Sequence, residues 1–220
     1  MAYERSPVVR AFKAFANVLV LCLVSPCALT CWLERVLHPG GESVFVLWTH
    51  GLALVPGFAG LYVRRAFYRL TLTACHPNLT INFASFFSHR EAHVEDGVYI
   101  GSFAVIGRVR LQAGCLIGTR VSLLSGSMQH ELDEHGHWRP SDAARFREIE
   151  IGRHSWIGEG AIVMADVGEG SVVSAGAVVS APVPPGVVVA GNPARFVRRV
   201  RPDESDGSER DRDPHVHALH

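Results

Sequence analysis

The sequence predicts a mainly β protein, in which short strands coil into a stacked three-sided prism behind an apolar helical arm. Three observations carry this reading. Aliphatic residues recur every six positions through the second half, glycine and small residues keep step with them, and two long uncharged runs lie near the N-terminus. The chain has 220 residues, 48% of them hydrophobic and 19% charged, which excludes global disorder. Lys+Arg and Asp+Glu are both 21, and no basic stripe stands out. A dedicated nucleic-acid binder, which needs excess cations to neutralise phosphates, is therefore not expected.

The arm comes first, over residues 1–80. Ala14 to Leu33 carries no charge, and neither does Ser43 to Val63. Each run is long enough to cross a hydrocarbon layer of roughly 30 Å. Arg5, Arg10 and Lys13 precede the first run, and Arg64, Arg65 and Arg69 follow the second. A spanning hairpin would thus keep both ends in the cytoplasm. Pro26 interrupts the first run, and His50, Pro56 and Gly57 interrupt the second. A mid-helix proline costs roughly 3 kcal/mol. The alternative to spans is a pair of helices lying at a membrane surface or packed on the next domain. No cleavage site marks a signal peptide. The expected location is cytoplasmic, with association to the inner face of the membrane.

The repeat occupies residues 81–200. Ile151, Ile157 and Val163 are spaced by six, as are Val167, Val173 and Val179, with a step of four between the two sets. An earlier register reads Val105, Leu111, Ile117 and Leu123, with Ile100-Gly101 and Ile106-Gly107 one position out of phase. Gly152 and Gly158 follow their aliphatics, and Ser155, Ala161, Ser171 and Ala177 sit four positions after theirs. A period of six suits neither a lone helix nor an alternating strand. It suits short edges with one inward aliphatic each, joined by corners where glycine permits a bend or a close backbone approach. Each buried aliphatic contributes roughly 1.5–3 kcal/mol. One coil cannot bury its own faces, so coils must stack. A polar stretch, 126–148, interrupts the pattern. Residues 201–220 hold nine charges and read as a disordered tail, with His215, His217 and His220 as histidines of a solvated end.

The stretch from Trp156 to Arg199 (WIGEGAIVMADVGEGSVVSAGAVVSAPVPPGVVVAGNPARFVRR) resembles the end of a hexapeptide-repeat acyltransferase, and its VPPGVVVAGNPAR motif is the most specific part. The resemblance covers about residues 80–200. It implies a left-handed parallel β-helix, a homotrimer, and transfer of an acetyl group from acetyl-CoA, a co-substrate and not a bound cofactor, to a hydroxyl or amine. The acceptor class would be a sugar or small metabolite. The arm resembles the N-terminal extension of a subgroup like the colanic-acid acetyltransferases, which points toward a membrane-near acceptor. SGSMQHELDEHGHW (Ser125–Trp138) is similar to the catalytic loop of the galactoside and sugar O-acetyltransferases, so the resemblance gives His130 the catalytic role. His135 and His137 read as exposed loop histidines. The resemblance also implies CoA contacts from Trp156, Ala175, Gly176, Arg195 and Arg198. One departure stands out: where the family often has Thr-Lys before the double proline, this chain has Ser180-Ala181, which removes one phosphate contact.

The chemistry agrees with those residue types. A thioester is already activated, so what an acceptor alcohol lacks is a base. A neutral imidazole with a pKa near 6.5 can take its proton during attack. Backbone N–H groups can serve the developing oxyanion, although no particular donor is indicated. Metal chemistry is not expected: His89-Arg90-Glu91-Ala92-His93 is not the H-E-x-x-H pattern, and two histidines so spaced on a β-coil share no helical face. Cys22, Cys27, Cys31, Cys75 and Cys115 form no C-x-x-C pair and read as reduced, apolar-behaving thiols. Two other readings of the fold are a non-catalytic β-helix scaffold docking through the arm and a metal-dependent hydratase.

Overall fold

The computed structural model describes residues 7–125, 133–135, 137 and 146–200, with side chains from residue 16. The loop histidine His130 and the C-terminal stretch 201–220 lie outside the described residues. Three helices, α1 (Pro7–Leu37), α2 (Ser43–Ala53) and α3 (Gly57–Thr71), precede a parallel β-solenoid. Its first strand begins at Ala74, ahead of the expected start at residue 81.

The solenoid has three faces. Face A is built from β1 (Ala74–Cys75), β4 (His93–Val94), β7 (Val109–Leu111) and β10 (Ile149–Ile151). Face B runs β2 (Thr80–Ile81), β5 (Tyr99–Ile100), β8 (Leu116–Ile117), β11 (Trp156–Ile157), β13 (Val172–Val173) and β15 (Val187–Ala190). It ends on the antiparallel strand β16 (Arg195–Arg199). Face C holds β3 (Phe86–Phe87), β6 (Val105–Ile106), β9 (Ser122–Leu123), β12 (Ile162–Val163) and β14 (Val178–Val179).

One side chain per edge points inward and stacks on its equivalent in the next coil. Ile81, Ile100, Ile117, Ile157, Val173 and Val189 form the ladder of face B. Phe87, Ile106, Leu123, Val163 and Val179 form that of face C. All are buried. The inward residue of β6 is therefore Ile106, not Val105, which the six-step register had favoured. Val105 pairs with Phe86 and Ser122 on the half-exposed side of face C.

The cause is a rule that the coils share. From face A to B, and from B to C, every inward step is six residues. From C to A the step varies: seven from Phe87 to Val94, five from Ile106 to Leu111, and four from Val163 to Val167 and from Val179 to Val183. The polar insertion leaves at this same corner, between Leu123 and Ile149.

The glycines after inward residues serve close approach between coils. A Cβ on Gly158 would lie 2.5 Å from the Ala175 amide nitrogen, and one on Gly118 would lie 2.8 Å from that of Glu159. Left-handed backbone falls instead three residues after the inward position, where Gly160 and Gly176 are joined by Ala84, Phe103, Arg120 and His154.

The second apolar run is not one helix: it divides at Leu54–Pro56 into α2 and α3. Both pack on the first coil. Phe45, Thr49, Ala66, Phe67 and Tyr68 are buried there. The Tyr68 hydroxyl shares a 2.5 Å hydrogen bond with Thr49 and accepts from the Phe87 N–H at 3.3 Å. Arg64 is buried, and its guanidinium donates to the carbonyls of Leu52, Ala53, Val55 and Ile81. It thereby caps the C-terminal end of α2, where the helix dipole favours a cation, and ties α3 to the solenoid.

A second ionic knot holds α1. Arg90 donates to Glu34 at 2.9 Å and to the Gly41 and Cys31 carbonyls. Glu34 also accepts from the Val44 and Phe45 N–H groups at the start of α2. Glu42 receives the Arg90 N–H at 2.8 Å and lies 2.5 Å from His89 Nδ1. The five cysteines are free of disulfides. Burial pushes the Cys75 and Cys115 thiols up to about 12, so both behave as neutral core groups.

Candidate active site

The polar insertion is rooted at the C-to-A corner. Ser125 is buried, and its hydroxyl accepts the Arg108 N–H at 2.8 Å. Its carbonyl accepts the Arg147 N–H at 3.1 Å. These two bonds bring the outgoing and returning limbs together. Phe146, on the returning limb, packs against the His89 ring at 5.0 Å and under the Arg108 guanidinium at 5.6 Å. His93 Nδ1 and Arg110 both face Glu148, at 2.8 and 3.7 Å.

His89 and His93 thus turn to different carboxylates, Glu42 and Glu148. Among the described residues no group of histidines, cysteines and carboxylates is arranged to hold a metal. The Glu42–His89 pair is a feature that sequence spacing could not supply, because its members come from the arm and the second coil. Burial raises the Glu42 carboxyl, but the His89 hydrogen bond and the Arg90 N–H outweigh it and hold the group below the ordinary carboxylate range.

The residues expected to meet CoA lie elsewhere on the prism. Trp156 stands on the outer side of face B and is 52% exposed. Its ladder continues through Val172 and Val188 to Arg198 on β16. Three strand spacings separate Trp156 from Arg198, about 14 Å. Ala175 and Gly176 sit at the neighbouring B-to-C corner, one coil beyond Trp156. The Gly176 N–H donates to the Glu159 carbonyl at 2.8 Å, and Gly158 lies directly against Ala175. The following turn, Gly191 to Ala194, closes the same corner, with its Ala194 N–H on the Val178 carbonyl at 2.8 Å.

Arg195 opens β16 beside a cavity of about 180 Å³ at the last coil, lined by Ala181, Pro184, Val187, Ala194 and Phe196 among others. The Ser180-Ala181 pair borders this cavity as well. Trp156 and Arg198 therefore share the outer ladder of face B, Ala175 and Gly176 lie at its corner with C, and Arg195 stands at the cavity that ends the last coil. In a three-sided coil the C-to-A corner, where the insertion is rooted, faces away from face B.

The outer surfaces differ in kind. Face A presents His93, Arg110, Gln112 and Glu150, linked by ion pairs and hydrogen bonds. Face B exposes Tyr99, Leu116 and Trp156 in one stacked row. At the B-to-C corner Phe103 is exposed and packs edge-on against Phe83 at 5.7 Å.

No protein-family model and no curated protein sequence matches the chain. Solved structures do. A maltose O-acetyltransferase from Clostridium difficile 630 superposes with a TM-score of 0.61 and 17% identity, over 73% of this chain and 87% of that one. AntD, an N-acyltransferase from Bacillus cereus, gives 0.48 and 14%, over 58% and 73%. The acetyltransferase domain of PglB from Neisseria gonorrhoeae FA1090 gives 0.42 and 26%, over 54% and 48%. The first of these shows that the fold is a solenoid of the kind that maltose O-acetyltransferase adopts.

Proposed function

We propose that the protein is an acyltransferase that moves an acetyl group from acetyl-CoA to a hydroxyl, or an amine, of a sugar or small metabolite, with His130 as general base. The observation that carries this reading is the outer ladder of face B from Trp156 to Arg198, which runs beside the Ala175–Gly176 corner toward Arg195 at the last coil. This stretch offers an outward aromatic, a corner of small residues and two guanidinium groups. An extended thioester carrier can lie along such a strip, with its phosphates toward the arginines. The fold shared with a maltose O-acetyltransferase supports the same class of reaction.

In the reaction, the acceptor oxygen attacks the thioester carbonyl while its proton passes to the neutral imidazole of His130. The tetrahedral oxyanion then collapses, the carbon–sulfur bond breaks, and the thiolate takes the proton from the imidazolium. Acid and base are one group, which ends each turnover in its starting form. Holding both substrates in line contributes the remaining acceleration. Because the insertion and the CoA flank are rooted on opposite sides of one coil, the reading places each site between two copies of a homotrimer. His130 of one copy then approaches the face B of its neighbour.

The test is release of free thiol from acetyl-CoA across a panel of sugars, amino sugars and hydroxylated metabolites. With the acceptor identified, His130→Ala should lower kcat by about 10²–10⁴-fold with little change in KM for acetyl-CoA. Equal rates for the variant and the parent would remove His130 from the chemistry. No thiol release with any acceptor would favour a scaffold.

A further inference from the structure

The arm carries a surface that acyl transfer does not use. α1 has two stripes. The inner one, Val20, Leu21, Val24, Cys27 and Cys31, packs toward the rest of the protein, with Val24 and Cys31 buried. The outer one, Val18, Leu19, Leu23, Leu29, Trp32, Leu33 and Val36, is exposed, with Leu23 at 68% and Leu29 at 62%. The most apolar 18-residue stretch of Ala16–Leu37 has a mean hydropathy of 2.0, yet only 11% of it is buried. Leu47 of α2, Leu54 in the turn after it, and Phe58 and Leu70 of α3 are exposed as well.

Polar groups on this surface are handled in a particular way. Pro26 has no N–H, so the Cys22 carbonyl one turn earlier loses its helical donor. The Ser25 hydroxyl donates to that same carbonyl at 2.8 Å. Thr30 turns its hydroxyl onto the Cys27 carbonyl at 2.7 Å and accepts the Trp48 indole N–H at 2.9 Å. Water would serve an exposed carbonyl unaided, whereas a lipid environment requires such internal partners. The charges are sorted too. Among the described residues of the three helices and their connections, the two carboxylates, Glu34 and Glu42, are turned inward onto Arg90 and His89. Arg35 and Arg69 are exposed beside the apolar area. Among the described residues the outward surface of the arm is therefore apolar with cationic margins and carries no acidic group.

We infer that the outer face of α1, with the exposed apolar residues of α2 and α3, seats on the surface of a bilayer bearing anionic headgroups. The helix lies in the interface and does not cross it. Its inner stripe is held by α3, through the packing of Val24 and Cys31 and the 2.7 Å bond from Arg65 to Asn17. Its last turn is held by Arg90. A crossing helix would have to leave those partners or draw the Arg65 guanidinium into hydrocarbon. This inference is independent of the acyl-transfer reading.

The test is flotation of the full chain with vesicles of phosphatidylcholine alone and of phosphatidylcholine mixed with phosphatidylglycerol. The parent protein should float with the mixed vesicles, and high salt should weaken binding. Leu23→Glu with Leu29→Glu should reduce binding about tenfold or more, and Arg35→Gln with Arg69→Gln should reduce it on anionic vesicles only. Circular dichroism and elution volume matching the parent would show that the variants fold. Ser25→Ala should weaken vesicle binding without lowering thermal stability in buffer. Three results would overturn the inference: no flotation with either vesicle, binding unchanged by the paired glutamates, or resistance to carbonate extraction from membranes, which marks a span. Self-association lost in the glutamate variant, without vesicle binding, would assign the surface to a second copy instead.

Discussion

Arg64 shows how one side chain can decide the attachment of a whole arm. Burial lowers its pKa, and its compensation comes from the carbonyls of Leu52, Ala53, Val55 and Ile81. A planar fork can serve several acceptors at once, which an ammonium on a flexible stem cannot. Arg64→Met should cost about 3 kcal/mol, because it leaves buried carbonyls without donors. Arg64→Lys should recover only part of that. Chemical denaturation of the two variants beside the parent measures both effects. Nothing in the sequence marked this arginine: it reads as one of three cations closing an apolar run. Its role depends on the break at Pro56, which folds α3 back on α2. Gly60 adjoins it, since a Cβ there would meet the Val55 carbonyl oxygen at 1.8 Å.

At the scale of elements, the Glu42–His89–Arg90 knot fastens the α1–α2 connection to the second coil. Glu42 titrates below the ordinary carboxylate range in the folded protein. Its contribution is therefore complete above the unfolded value, near about 4.3, and is lost as pH falls through the lower folded value. Amide exchange or limited proteolysis should show the arm loosening before the solenoid below about pH 4. Glu42→Gln should bring that loosening to neutral pH.

The solenoid was legible where each edge carries one large aliphatic in strict spacing, as from Ile151 to Val163. It was misread at Val105 because the C-to-A corner changes length from coil to coil, and a fixed period cannot follow a variable step. The motif singled out Trp156, Ala175, Gly176, Arg195 and Arg198, whose part in binding CoA belongs to the proposal. The Glu42–His89 pair and the Ser125–Arg108 bond were not legible, because their members are distant in sequence and meet only through stacking.

For the whole molecule, the contrast between faces matters most. Face A is covered by ion pairs, whereas face B carries the exposed row Tyr99, Leu116 and Trp156. A row of that kind suits burial between copies. Sedimentation equilibrium in detergent should return three times the 24.0 kDa chain mass, and Leu116→Glu should return the single chain. A monomeric parent protein would remove the shared site from the proposed mechanism.

A stack of parallel coils has two ends, each offering a row of backbone donors and acceptors to any similar row. Here the first coil lies under α2 and α3, and the last is closed by β16 running the opposite way. Cutting the chain before Ala74 should therefore not yield a smaller, well-behaved protein. It should bare a growing tip and let molecules add end to end into filaments, visible by electron microscopy and absent when the helices are retained.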